Sequence, residues 1–297
     1  MTLECIESLQ ADCRDIRLEV FVVDNGSNDQ SVEVIRERFP NVKVIANERN
    51  AGFGAANNQA MKLAGGKFVL LINSDAFPRP GAIRAMLAEL ASHREAGVVG
   101  PRLLNRDGSL QVSCYRFPSP FRAWVENLWI SALMSSHPTI GDYRRWDHNS
   151  ARDVDWVIGA CMLVRAEVIR DVGGFDERFF MYAEESDWQK RIRGAGWTIR
   201  LTPTAEVVHL GGASGEGEKA RINRHVFESL DYYERKHHGI VGFIALRLAM
   251  IIGSALRIIG WSGVYILRPK RRAAAAAKVR LLSWLFVRQG TYWRIPG

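Results

Sequence analysis

Cysteine is scarce in this chain of 297 residues. Four are present, Cys5, Cys13, Cys114 and Cys161, and no two form a C-x-x-C pair. No disulfide framework is implied, and a reducing, cytosolic setting is the simplest reading. No charged n-region with an apolar h-region opens the chain, so a secretory leader is not expected. Internal repeats are also missing. A composition of 47% apolar and 24% charged residues excludes collagen-like, low-complexity and fully disordered chains. The length suits one large α/β domain with an appendage, or two small domains, with ample core.

Acidic residues are missing from one place only. Residues 240–297 hold no Asp or Glu but ten Lys or Arg, more than the whole net charge of +8, so residues 1–239 are slightly acidic. That distribution disfavours nucleic acid as a partner and points to an anionic membrane surface. A long apolar run is lacking too. Ile240–Leu267 is interrupted by Arg247 and Arg257, and its uncharged pieces fall short of the ~18–20 residues that span a bilayer. An arginine in the hydrocarbon costs roughly 2.5 kcal/mol or more. Ten helical steps set these two about 80° apart, on one side of a helix. An interfacial helix fits, followed by RPKRR, an alanine run and a second amphipathic piece, KVRLLSWLFVR. Packing of both helices on the body, or a tilted or re-entrant span, are the other readings.

The first hundred residues alternate as βα units do. Strands are expected at Glu19–Asp24, Val42–Ala46, Lys67–Asn73 and Val98–Gly100, with helices at Ser31–Arg38, Gly54–Ala64 and Pro80–His93. This pattern favours a parallel, doubly wound sheet, with ligands beyond the carboxyl ends of its strands. Residues 105–155 read as an irregular loop region around an acceptor site. Val157–Arg165 is a further strand candidate, Glu184–Gly194 a helix, and Val207–His209 the end of a last strand.

The unusual residues fall at the strand ends. Asp24, before NGSND, can accept hydrogen bonds from a base or ribose; the alternative is a helix N-cap by Ser27, Asn28 or Asp29. Gly52 and Gly54 lie between a strand and a helix, where the backbone can approach a phosphate or sugar. Asn57 occupies the third small position of a dinucleotide fingerprint, so that reading is disfavoured. Asn73-Ser74-Asp75 can bind a hydrated divalent cation, or simply form a turn. Glu184, Glu185 and Asp187 repel one another, which raises carboxyl pKa values towards those of a general base. The alternative is complementarity to the helix dipole. Trp188 and Trp197 would offer a sugar an apolar face. His209 could complete a metal site with Asp75 or be structural, and the Gly211–Gly217 run after it reads as a flap.

Taken in order, VVDNGSND, NAGFGAANNQ, LLINSD, IGACMLVRAEVIRDVGGFDERFFMYAEESDWQKRIRGAGW and VVHLGGAS resemble the family 2 inverting glycosyltransferases, most nearly the bacterial rhamnosyltransferase-like members. The resemblance runs from about Thr2 to Gly217. It implies a GT-A fold, a mostly parallel nucleotide-binding α/β sheet with a smaller acceptor sheet, over residues 1–239. Residues 240–297 would form a membrane-associating tail.

The resemblance assigns the donor to Asp24, Asn25, Ser27, Asn50, Gly52, Asn57, Asn73, Ser74 and Asp75. Gly159-Ala160 and Gly173-Gly174-Phe175-Asp176 match segments that shape the sugar and acceptor pocket, where Trp156 and Trp188 are also expected. Asp75 and His209 would bind Mg²⁺ or Mn²⁺. Glu185 matches the second acid of the family's Glu-Asp pair, the base, with Asp187 as reserve and Glu184 adjacent. The implied partners are a dTDP- or UDP-sugar (dTDP-rhamnose foremost), a lipid-linked glycan and the cytoplasmic face of the plasma membrane, to which the protein would bind peripherally. Family members usually begin with an apolar strand some twenty residues before a Leu-x-Cys-x-x-Ser-Leu-like helix. This chain starts at that helix, with Leu3, Cys5, Ser8 and Leu9, so that first strand is expected to be missing. A sugar nucleotidyltransferase is the alternative enzyme, but no Gly-rich phosphate loop with Arg or Lys stands near the start. A catalytically impaired glycan-binding scaffold is the non-enzyme alternative.

Overall fold

The computed structural model describes residues 1–134, 137, 139–141, 143, 146–211 and 219–291. Most of the Gly211–Gly217 run and the last six residues, Arg294 among them, lie outside the described residues. The chain divides into two compact units, Met1–Phe117 with Tyr143–Ser229, and Pro118–Asp142 with Leu230–Gly297. The second unit thus takes part of the stretch read as irregular loop, together with the tail.

The first half of the chain holds α1 (Thr2–Asp12), β1 (Phe21–Asp24), α2 (Ser31–Arg38), β2 (Lys43–Ala46), α3 (Phe53–Leu63), β3 (Phe68–Ile72), β4 (Ala76–Pro78), α4 (Ala82–Ser92), β5 (Ala96–Leu104), β6 (Leu110–Gln111), β7 (Cys114–Tyr115), α5 (Pro120–Asn127) and α6 (Ile130–Leu133). There follow β8 (Arg152–Asp153), β9 (Trp156–Val157), β10 (Cys161–Arg165), α7 (Ala166–Val172), α8 (Glu184–Gly194), β11 (Thr198–His209), α9 (Lys219–Leu267) and α10 (Arg272–Thr291).

In the first unit β1 and β2 pair in parallel, from Phe21 opposite Lys43 to Asp24 opposite Ala46. Among the described residues they pair with no other strand. A seven-stranded sheet has the order β3-β10-β5-β11-β4, with β6 on β5 and β8 on β11. Its long strands β5 and β11 are parallel, while β10 runs antiparallel to both β3 and β5 and β4 antiparallel to β11. β3, β5 and β11 therefore share one direction, with reversed strands set among them.

The pattern of burial explains the two faces. Side chains alternate across a strand, and in β10 Cys161 and Leu163 join one apolar cluster with Met86 and Leu90 of α4. Met162 and Val164 join another with Trp188 and Ile192 of α8. A sheet covered on both faces needs strands apolar throughout, which accounts for the nearly continuous burial of β5. The segment read as one strand, Val157–Arg165, is divided at Gly159-Ala160. β9 pairs with β7 in a separate ribbon and β10 joins the main sheet.

In the second unit Ser119 caps α5, its hydroxyl accepting from the Arg122 N–H, with Pro120 in the first turn. The α9 run is broken at Gly239, whose φ of 65° suits glycine. Beyond it Leu246 and Ala249 pack with Ala123. Arg247 is buried and bonds Asp231 and Gln289. Arg257 donates to Asn127 Oδ1 at 3.1 Å and lies over the Trp129 ring. Arg247 is thus held inside the unit, and Arg257, partly exposed, is held against Asn127 and Trp129. Leu248, Ile252, Leu256 and Ile259 are exposed and, at 100° per residue, lie on the opposite side of the helix. Among the described residues one helix, His225–Leu267, is long and apolar enough to cross a membrane by length and composition.

Candidate active site

β3 brings Asn73-Ser74-Asp75 to the carboxyl edge of the main sheet. The Asn73 N–H donates to the Ala160 carbonyl at 2.9 Å, and the Ala76 N–H donates to the Asn73 carbonyl, closing a turn that leaves Ser74 exposed. β4 then pairs with the end of β11, Ala76 opposite His209, and the Leu210 N–H reaches the Asp75 carbonyl at 3.0 Å. This register places Asp75 Oδ1 3.4 Å from His209 Nε2. The neighbouring His209 imidazole holds the Asp75 carboxyl below the usual range despite its burial. Asn73 Nδ2 lies 3.5 Å from the same Nε2.

The acids lie at the start of α8. Tyr182 and Ala183, with φ of 72° and 65°, hold the chain in the left-handed region immediately before them, a strain that non-glycine residues adopt only under constraint. Glu184 is buried and Glu185 partly exposed, and the Oε2 of each has no hydrogen-bond partner among the described residues. Burial pushes the Glu184 carboxyl well above the usual range, and the charge of Glu185 adds to the shift. Burial raises Glu185 as well, opposed by the backbone N–H groups of Glu185 itself and of Gly159. A Cβ on Gly159 would stand 3.9 Å from Glu185 Cβ, and Ala160 accepts from Asn73, so this turn lies between the base candidate and the end of β3.

Two sequence expectations change here. Asp187 is fully buried, and its carboxylate pairs with Arg191 at 3.0 Å, which removes it as a reserve base. Trp188 is fully buried against Phe175 and donates from Nε1 to the Gly173 carbonyl at 2.8 Å; its ring belongs to the core and offers no face to a sugar. Trp156 is partly exposed, stacks on Tyr115 and donates to the Arg116 carbonyl.

The proposed donor residues form a connected edge. Asp24 Oδ2 accepts the backbone N–H groups of Gly26 and Ser27 at 3.2 and 3.0 Å. Asn25 Nδ2 donates to Asn50 Oδ1 and the Gly52 carbonyl, and its Oδ1 accepts from Ala51 and Asn47. Asn25 and Asn50 thus brace the turn into α3. Gly52 has φ of 92°, and a Cβ there would stand 2.5 Å from the Phe180 carbonyl oxygen. The Phe53 N–H donates to that same oxygen at 3.0 Å, and the Phe53 ring would meet a Cβ on Gly159 at 3.1 Å. Asn57 turns back to its own helix, donating to the Phe53 carbonyl.

Among the described residues no group of three or more His, Cys, Asp or Glu gathers as a metal cage. An Asp–His pair nevertheless fits an ion that takes one or two protein ligands and completes its shell with substrate phosphates and water. The sequence did not single out Gln111, whose Oε1 lies 2.7 Å from His209 Nδ1. No motif marks it, because β6 meets β11 only through the fold.

Residues 1–173 match the family described as Glycosyl transferase family 2. The chain is 30% identical over 270 residues to the N-acetylglucosaminyl-diphospho-decaprenol L-rhamnosyltransferase of Mycobacterium tuberculosis, covering 81% of this chain and 85% of that protein. It is 27% identical over 219 residues to the O-antigen biosynthesis protein RfbC of Myxococcus xanthus, covering 70% of this chain and 16% of that one. Among solved structures, the mannosyltransferase PcManGT from Pyrobaculum calidifontis, in complex with GDP-Man and Mn²⁺, shares the fold with a TM-score of 0.53 at 16% identity over 99% of this chain and 83% of that one. The family match over the sheet that carries Asp75, and the rhamnosyltransferase likeness over most of the chain, make this protein a GT-A glycosyltransferase of family 2.

Proposed function

We propose that the protein transfers a sugar, with rhamnose from dTDP-rhamnose as the first candidate, from a nucleotide diphosphate to a hydroxyl of a lipid-linked diphospho-glycan, with inversion at the anomeric carbon. The observation that carries this reading is the Asp–His pair 3.4 Å apart at the end of the main sheet, with the neighbouring Asn73 N–H bonded to the Ala160 carbonyl next to Gly159, where a Cβ would stand 3.9 Å from Glu185 Cβ. The name of the mycobacterial relative, an N-acetylglucosaminyl-diphospho-decaprenol L-rhamnosyltransferase, supports the acceptor class.

Glu185 is the base. It is the less buried of the pair, and its environment keeps the carboxyl closer to neutrality than a solvated one. It takes the proton from the acceptor hydroxyl. The oxygen then forms its bond to the anomeric carbon as the bond to the diphosphate oxygen breaks, and the electron pair leaves with the nucleotide. A single displacement inverts configuration. Asp75 and His209 would hold Mg²⁺ or Mn²⁺, whose contribution when bound is to neutralise charge on the departing diphosphate. The Asp24 turn and the Asn50–Gly52 turn line the nucleotide side.

The second unit supports membrane association. An exposed apolar patch on a soluble surface marks an interaction site. The stripe Leu248, Ile252, Leu256 and Ile259 is followed by the basic run Arg268–Arg272, the pairing that anionic leaflets attract. With Arg247 buried and Arg257 held against Asn127 and Trp129, the stripe would lie in the headgroup boundary of the cytoplasmic leaflet, near a lipid-linked acceptor.

Calorimetric titration of the full chain with dTDP and with UDP, with and without Mn²⁺, tests the donor side. Mn²⁺-dependent binding of one nucleotide is expected. Binding of neither by a folded sample would overturn the proposal.

A further inference from the structure

The proposed metal reading leaves open how a lone histidine comes to present a lone pair. Neutral imidazole carries its proton on either nitrogen, and only the unprotonated one can bind a cation. Which nitrogen is free depends on what the other one meets.

At His209 the other nitrogen, Nδ1, faces Gln111 Oε1 at 2.7 Å. An amide could in principle present its NH₂ there instead, and its two ends must be assigned from their partners. For Gln111 the partners leave one choice. Its Nε2 donates to Asn105 Oδ1 at 3.0 Å and to the His209 carbonyl at 3.1 Å, and both are acceptors. A flipped amide would set its carbonyl oxygen against both.

Asn105 is fixed in turn. Its Nδ2 donates to Ser109 Oγ at 2.9 Å and to the Leu110 carbonyl at 3.3 Å, so its Oδ1 must face Gln111. Ser109 donates from its hydroxyl to Asp107 Oδ1 at 2.6 Å, leaving the hydroxyl oxygen to accept from Asn105. Direction therefore runs along the chain from a surface carboxylate and a backbone carbonyl to the imidazole.

We infer that Gln111 is a positioning residue. Through Asn105 it holds His209 as the Nδ1–H tautomer and so aims the Nε2 lone pair at Asp75 Oδ1. Two electron-rich atoms then stand 3.4 Å apart, and Asp75 and His209 would both be available to hold a cation. The Asn73 amide, 3.5 Å from Nε2, approaches from its Nδ2 side, as an acceptor nitrogen requires. Without Gln111 the Nε2–H form would gain, because its proton can point at the Asp75 carboxylate.

The inference rests on the metal reading for its consequence but not for its first observable. Long-range ¹H–¹⁵N spectra of the metal-free full chain above neutrality, with His209 assigned by its loss in His209→Gln, report the tautomer directly. The wild type is expected in the Nδ1–H form, Gln111→Met in a mixture or the Nε2–H form, and Gln111→Glu, which keeps an acceptor toward Nδ1, again in the Nδ1–H form. Mn²⁺ titration in the presence of nucleotide is expected to weaken about 10–100-fold in Gln111→Met, with Gln111→Glu recovering most of the loss. A wild type in the Nε2–H form, or a Gln111→Met chain that keeps the Nδ1–H form, overturns the inference. Equal loss of Mn²⁺ affinity in both variants would reduce Gln111 to a packing role and overturn it as well. A wild type in the Nδ1–H form that binds no Mn²⁺ with nucleotide would uphold the tautomer assignment and reject the metal reading instead. Should Gln111→Met fail to fold, Asn105→Leu removes the amide anchor and serves the same spectra.

Discussion

Glu184 and Glu185 are adjacent in the chain but sit in different surroundings. Each keeps a buried, unpartnered Oε2, but Glu184 is buried as a whole residue while Glu185 is partly exposed. Glu185→Gln is expected to lower transfer by about 10²–10⁴-fold while nucleotide binding stays intact, as kinetics and calorimetry on one sample would show. The acid limb of the rate profile should lie above the ordinary carboxylate range, because activity needs the ionised form of a group whose pKa is raised. Glu184 supplies a stability prediction. Its folded pKa exceeds the unfolded one, so the folded state binds more protons between the two values, and stability falls as pH rises through that window. Glu184→Gln should remove this slope, raising Tm at neutral pH and changing it little below pH ~4, the unfolded carboxyl range. Melting curves at several pH values check the sign. The acid cluster was legible in the sequence. The burial of Asp187 was not, because it depends on how α8 packs, whereas its pairing with Arg191 four residues on follows from local helical spacing.

The elements that carry the site are short turns, and their tolerances follow from backbone geometry. Gly52 enters α3 at positive φ, with the Phe180 carbonyl where a side chain would go. Gly52→Ala is expected to cost on the order of 1–3 kcal/mol and to weaken nucleotide binding, since the turn it displaces carries Asn50 and abuts the segment before Glu184. Thermal melts and calorimetry would register both. The βα alternation of the first hundred residues, and the bounds of α2 and α8, were readable from hydrophobic periodicity. The main sheet's strand directions were not. β10 and β4 run against β3, β5 and β11, and period-two alternation looks the same in either direction. Val98–Gly100 and Val207–His209 were read as fragments of what prove to be the long strands β5 and β11. Gly97, Pro101 and Pro203 interrupt the apolar pattern, although tertiary pairing carries the strands past them.

At the scale of the whole molecule, charge and exposure separate the two units. The basic, acid-free tail was visible in composition, as was the interruption of its apolar run by Arg247 and Arg257. The tertiary structure turned those arginines to Asp231, Gln289 and Asn127 and left an uncharged stripe facing outward. Replacing Ile252 and Leu256 with Asp is expected to reduce flotation with anionic liposomes by at least tenfold without lowering nucleotide affinity. Unchanged flotation would sink the membrane reading of the stripe.

The sequence by itself determined the family, the strand ends at which Asp24, Asp75 and His209 would stand, the helix start that carries Glu185, and the charge asymmetry of the tail. These depend on residue type and order, which local periodicity and spacing preserve. Only the tertiary structure decided which acids stay unpaired, that Trp188 serves the core, and that Gln111 meets His209. Those outcomes depend on register and burial between segments as much as 98 residues apart, and no local pattern encodes them.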